Sequence, residues 1–210
     1  MKRLFALLVT LFVSTAAFGQ GGLVEGRDYK LINPPQPVTG KQVEVLEFFS
    51  YACPHCYEFE PLLNSWLDSK PKGVDFKYVP AVYNNRMVPQ AKLFYTLEEM
   101  GLLTKLHDKV FDAIHLEGKK LSDRDEIVAW AATQNIDTKK FESVFDSFSV
   151  ANAAQRAYQL TRAYRIPGTP YLVVNGKYLT GPAMTLRADG QGIDPQRFVV
   201  VLNSLIEMSR

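Results

Sequence analysis

The chain has 210 residues, with 24 Lys and Arg against 22 Asp and Glu. A chain of this length can bury a good core without covalent staples. Its near-balanced charge gives no electrostatic basis for binding nucleic acid.

Lys2 and Arg3 precede an apolar run from Leu4 to Val13, and small residues follow from Ser14 to Ala17. This is the layout of a secretory signal peptide. The run is shorter than the roughly 20 residues needed to span a bilayer, and no later apolar stretch is long enough. Cleavage is expected between Ala17 and Gly22, with residues 1–19 removed. That leaves 22 basic residues facing 22 acidic ones, a mature net charge of zero. No cysteine lies near the cleavage site, so a lipid anchor is not supported. An exported chain meets an oxidising compartment.

Residues 42–50, QVEVLEFFS, read as a strand buried on at least one face. Cys53 and Cys56 follow directly, and Phe59, Leu62, Leu63 and Trp66 then recur at helical spacing. The cysteines therefore sit where a strand ends and a helix begins. Pro54 suits the first helical turn, whereas Pro61 lies inside the helix and should kink it. Residues 75–82 read as a second strand.

From Pro89 to about Tyr164 the pattern is almost entirely helical. Leu93, Phe94, Leu97 and Met100 form one apolar face, and Leu106, Val110, Phe111 and Ile114 another. Ser122 with Asp125 predicts a cap ahead of Ile127, Val128 and Trp130. Asp137 predicts a cap for a helix facing inward with Phe141, Val144, Phe145 and Phe148. A further helix is expected over residues 151–164. His107 and His115 look like ordinary positions on these helices. Strand character returns at Tyr171–Val174, Asn175-Gly176 signals a hairpin, and Asp194-Pro195 opens a final helix. The expected architecture is α/β, with an all-helical domain inserted: residues 20–86 and 158–210 form the first domain, and 87–157 the insertion.

The chain holds only these two cysteines, and three uses compete for them. As a crosslink, Cys53–Cys56 closes a four-residue loop and contributes roughly 2 kcal/mol, against roughly 3 for a 15-residue loop. A chain of this size gains little from it. As a metal site the pair lacks partners, because His107 and His115 have no zinc-site spacing to it. Tyr57 follows Cys56, so the haem-attachment pattern is absent. The favoured use is a bond made and broken in turnover, with no metal or cofactor.

A Cys-x-x-Cys pair at a helix start after a buried strand resembles the thioredoxin superfamily. CPHC within VLEFFSYACPHCYEF, the helical insertion and the signal peptide together resemble the DsbA family of periplasmic thiol:disulfide interchange proteins. The resemblance covers essentially the whole mature chain and implies a thioredoxin-like fold with an inserted helical domain. It matches Pro61 to the kink proline, and Thr169-Pro170, within IPGTPYLVVNGKY, to the family's cis-proline. It matches Glu47 to a buried acid under the redox pair, Lys77 to a lysine neighbouring that acid, and Glu60 to a second nearby acid. By residue type alone, Lys77 and Glu60 read as solvated charges and Pro170 as an ordinary trans proline.

Cys53 at the helix start should form a stabilised thiolate, favoured by orphan N–H groups and the helix dipole. His55 is expected to add donors, and positive charge when protonated. Glu47 should exchange protons with Cys56, and the Thr169 backbone should dock an extended substrate peptide. The resemblance implies a monomeric periplasmic oxidase of reduced exported proteins. A DsbB-type quinone-linked membrane protein would reoxidise it. Two alternatives stand beside it: a periplasmic isomerase or reductase of the same superfamily, and a peptide-binding chaperone with a vestigial pair.

Overall fold

The computed structural model describes residues 22–210; the expected signal peptide lies outside them. The chain builds β1 (Lys30–Leu31), β2 (Val43–Phe49), α1 (Pro54–Ser69) and β3 (Val74–Pro80). The helices α2 (Val88–Glu99), α3 (Leu103–His115), α4 (Arg124–Ala132), α5 (Thr138–Phe145) and α6 (Phe148–Ala163) follow. The last elements are β4 (Tyr171–Val174), β5 (Tyr178–Thr180) and α7 (Pro195–Glu207). No described helix is long and apolar enough to cross a membrane.

The five strands form one mixed sheet in the order β1-β5-β4-β2-β3, with β2 and β3 parallel and the other pairs antiparallel. All seven residues of β2 are buried, because the strand is covered on both faces. Val43 and Val45 face α1 and α7, packing with Phe59, Leu63, Trp66 and Phe198. Leu46 and Phe48 face the other way, onto Ala154, Ala157 and Tyr164 at α6. Side chains on a strand alternate faces, so the single strand anchors two cores. A third core belongs to the inserted helices and includes Leu93, Phe94, Phe111, Trp130 and Phe141. It also takes in Phe49, Tyr51 and Cys56. The redox pair therefore sits at the joint between sheet and insertion.

Several sequence expectations change in detail. The sequence carries no signal for β1, which is two residues long and too short to show a period. The N-cap of α4 is Asp123, whose side chain accepts from the Glu126 N–H, one position beyond the expected Ser122 and Asp125. Glu126 reaches back to the Ser122 N–H at 2.8 Å, completing a reciprocal cap. Phe148 does not continue the face of α5. Ser147 caps a new helix there, and Phe148 opens α6 at 81% exposure. The expected domain limit at 157/158 falls inside α6, which runs unbroken from the insertion onto the sheet. The Asn175-Gly176 turn forms as read, with positive φ at both residues (50° and 66°), as a type I′ turn requires.

Candidate active site

Cys53 is the N-cap of α1 and Pro54 its first residue. Pro54 has no N–H to leave unpaired there, and the first turn carries no acidic side chain. Cys53 is partly exposed and Cys56 fully buried, and both are thiols. The Cys53 Sγ lies 3.3 Å from the Thr169 carbonyl oxygen, to which its S–H donates. The Thr169–Pro170 bond is cis, at the position matched from the sequence. Gly181 backs this loop: a Cβ there would meet the Pro170 carbonyl oxygen at 3.1 Å.

The environments of the two sulfurs drive them apart. Hydrogen bonding from Cys56 is the main cause that brings the Cys53 thiol down to about 5, against the opposing effect of burial. The Thr169 side chain and the backbone N–H groups of Cys56 and His55 assist. Burial pushes the Cys56 thiol far up, helped by its bond to Cys53 and by the charge of Glu47. The Ser50 N–H donates to the Cys56 sulfur at 3.4 Å and opposes this only in part.

Glu47 is fully buried on β2, and neither carboxylate oxygen has a hydrogen-bond partner. Desolvation holds its carboxyl well above the usual range, and the nearby Glu60 adds to this. Glu60 is also buried rather than solvated, at 5% exposure.

Two expected residues fall elsewhere. The His55 imidazole is exposed, with Nδ1 3.3 Å from Glu58 Oε2. Its link to Cys53 is the backbone N–H, not the ring. Lys77 does not neighbour Glu47. It pairs in register with Leu46, while Glu47 pairs with Tyr78. Lys77 therefore points from the opposite face of the sheet, where it bonds Asp75 at 2.8 Å and Glu44 at 3.1 Å.

Two histidines that looked ordinary lie against the site. His115 stacks on Tyr57 with ring centroids 4.9 Å apart, and its Nε2 is 2.8 Å from the Tyr51 carbonyl. His107 is buried beside Glu60. No local pattern marks either one, since each meets the site only through the packing of α3 on α1. Beside Cys53 an apolar groove of about 430 Å³ is lined by Pro170, Tyr171, Pro182, Leu186 and Ile193, with His55 at its edge. No group of side chains suited to hold a metal occurs among the described residues.

A mixed sheet, a helix opening on an activated cysteine and a cis-proline loop across from it define a thiol:disulfide oxidoreductase of the thioredoxin-like fold. Comparison with known proteins gives the family. A model of the DSBA-like thioredoxin domain matches residues 69–187. The thiol:disulfide interchange protein DsbA of Bordetella parapertussis is 43% identical, covering 98% of this chain and 93% of that protein. DsbA of Azotobacter vinelandii is 38% identical over the whole chain and 99% of its own length. The crystal structure of Pseudomonas aeruginosa DsbA superposes with a TM-score of 0.79 at 35% identity, covering 88% of this chain and 93% of that one. The chain belongs to the DsbA family of thiol:disulfide oxidoreductases. The family model begins after the cysteines, whereas the full-length relatives span them.

Proposed function

We propose that the protein is a periplasmic dithiol oxidase that donates the Cys53–Cys56 disulfide to reduced, newly exported proteins. The observation that carries this reading is the pair of opposed thiols: Cys53 accessible and held near 5, Cys56 sealed and held high. The Cys53 thiolate exists only in the reduced protein. Whatever stabilises that thiolate favours the reduced form and makes the disulfide more oxidising, by about 30 mV for each 1.4 kcal/mol in a two-electron couple.

In the oxidised protein a substrate thiolate attacks the Cys53 sulfur. The Cys53–Cys56 bond breaks, and Cys56 leaves and takes up a proton. A second substrate thiolate then attacks the substrate sulfur of the mixed disulfide, and Cys53 leaves as a stabilised thiolate. The substrate has lost two electrons and the protein holds them as a dithiol. Glu47 is the proton donor to Cys56, since burial favours the protonated form of its carboxyl and the carboxylate left after donation acts directly on that sulfur, raising its affinity for the proton. The apolar groove beside Pro170 takes the extended substrate segment, with the Thr169 backbone at its edge. A quinone-linked membrane protein of the DsbB type then reoxidises the pair, and the protein acts as a monomer.

The test is the equilibrium constant of the pair against glutathione at pH 7, run beside oxidation of a reduced, unfolded test protein. An oxidising couple with rapid transfer is expected. A strongly reducing couple overturns the reading in favour of a reductase, and no transfer at all favours a binding module.

A further inference from the structure

Among the described residues, every buried side-chain nitrogen or oxygen without a hydrogen-bond partner belongs to Glu47, Glu60 or His107. Such a group costs free energy when left unpaired. Apolar side chains in these places would avoid that cost, so its concentration in one spot calls for a use.

The geometry joins Glu60 to His107. Glu60 Oε1 on α1 stands 3.6 Å from His107 Nε2 on α3. The other ring nitrogen, Nδ1, lies 2.8 Å from the Tyr51 hydroxyl. Burial, then the charges of Glu60 and Asp108, keep the Tyr51 phenol protonated far beyond neutral pH. Tyr51 is therefore the donor and Nδ1 the acceptor. The single proton of a neutral imidazole then sits on Nε2, facing Glu60. The ring is walled by Tyr78, Phe49 and Phe111, with centroids 4.6, 5.2 and 5.3 Å away. The titratable groups around it are Glu60 from α1, Tyr51 from the loop after β2, Tyr78 from β3 and Asp108 on its own helix. Glu47 on β2 lies beyond, close enough for Glu60 to raise its carboxyl.

Glu60 also belongs to the wall of a cavity of about 560 Å³ at the joint of α1 and α3, together with Pro61, Asp108 and Phe111. Of the three residues with unpartnered atoms, Glu60 is the one that also lines this space.

We propose that Glu60 and His107, with Tyr51 fixing the imidazole tautomer, form a proton store that recharges Glu47 and so serves Cys56 in every turnover. The inference rests on the reading of Glu47 as the proton donor to Cys56. When Cys56 leaves as a thiolate it takes the Glu47 proton and leaves a carboxylate. That carboxylate regains a proton from the Glu60 carboxyl, the His107 Nε2–H faces the Glu60 carboxylate this leaves, and Glu60 takes a proton back from water in the cavity. Reoxidation of the dithiol sends the same protons back. His107 and Tyr51 touch no substrate and act as positioning residues.

The experiment measures two quantities between pH 5 and 8: the potential against glutathione, and the protons taken up per disulfide reduced in weak buffer. The wild-type protein should show an inflection in both that depends on Glu60 and His107. His107→Phe, which keeps an aromatic ring in the same walls, should lose that inflection, and Glu60→Gln should lose it too. Tyr51→Phe should shift it, because the tautomer is no longer fixed. If folded His107→Phe keeps the wild-type profile and proton count, the proposal is overturned. If that variant does not fold, Tyr51→Phe decides, and an unshifted profile there overturns it equally. The wild-type potential at pH 7 tests the oxidase reading separately, so failure of one can be told from failure of the other.

Discussion

Cys53 and Cys56 are the same residue type one helical turn apart, yet the protein gives them opposite chemistry. Cys53 ends the strand-to-helix connection, where free N–H groups converge and a groove opens to solvent. Cys56 points back into the core of the inserted helices, with buried carboxyls behind it. A thiolate is stabilised where donors and partial exposure meet, and penalised where water is excluded and a single N–H opposes the burial. The difference teaches that the boundary between two packing units, together with the backbone N–H groups at the helix start, sets the reactivity of each sulfur.

Removing one side of the comparison should have the largest effect. Cys53→Ala is expected to abolish oxidation of a reduced test protein, because Cys56 is sealed from any substrate thiol. A residual rate above background would mean that Cys56 becomes accessible. Cys56→Ala removes the foremost donor to the Cys53 sulfur, so the Cys53 thiol should climb from about 5 towards the ordinary thiol range. Alkylation rate against pH reports it, and a thiol that stays near 5 would assign the depression to the helix start alone.

The comparison also sets stability against pH. Cys53 has its pKa lowered on folding, so its stabilisation of the reduced form is complete above the unfolded thiol value of about 8.5. It shrinks as pH falls and is gone below about 5. Reduced protein should therefore unfold at higher urea than oxidised protein at pH 7, and the gap should close on acidification. A higher midpoint for the oxidised form at equal slope would restore the crosslink reading.

Glu47 sharpens the buried side. Its carboxyl is raised on folding, so it increasingly opposes the fold as pH rises above the unfolded carboxyl value of about 4.3. Glu47→Leu should stabilise the protein by about 1–3 kcal/mol at neutral pH, since it removes a buried group with no partner. It should also slow the proton-coupled step at Cys56. Urea titrations at pH 5 and 8 check the first part, and a gain that does not grow with pH would contradict it.

The smallest effect is expected for His55→Ala. The ring faces Glu58 in solvent, and the N–H that reaches Cys53 is backbone and survives the substitution. The Cys53 titration should move by less than about one pH unit, and a larger rise would return the imidazole to the role first expected of it.

Reading the sequence worked where a local signal carried the information. The apolar run of β2, Pro54 at the helix start and the Asn175-Gly176 turn each act over a few residues, and each appears as expected. It failed by one step at Ser122, where two neighbouring polar residues could each have served as the cap, and it carried Phe148 onto the face of α5 because the cap at Ser147 was not read. Glu47 was legible because its strand position and the family pattern agreed. Glu60 looked like a solvated charge because its burial depends on α3 packing over α1. Lys77 was misplaced for a related reason: which face it points from depends on its register with β2, and register is a property of the pair of strands.

From the sequence alone came the strand–CPHC–helix unit, the helical insertion and the accessible role of Cys53. These follow from periodicity, capping and the helix start, which act along the chain. The tertiary structure alone decided that Tyr51, Glu60 and His107 meet at the joint of α1 and α3. Glu60 and His107 stand on separate helices and come within 3.6 Å only when the insertion closes on the sheet domain. Electrostatic coupling in a buried place depends on distance and on the exclusion of water, and neither exists until the two cores are packed together.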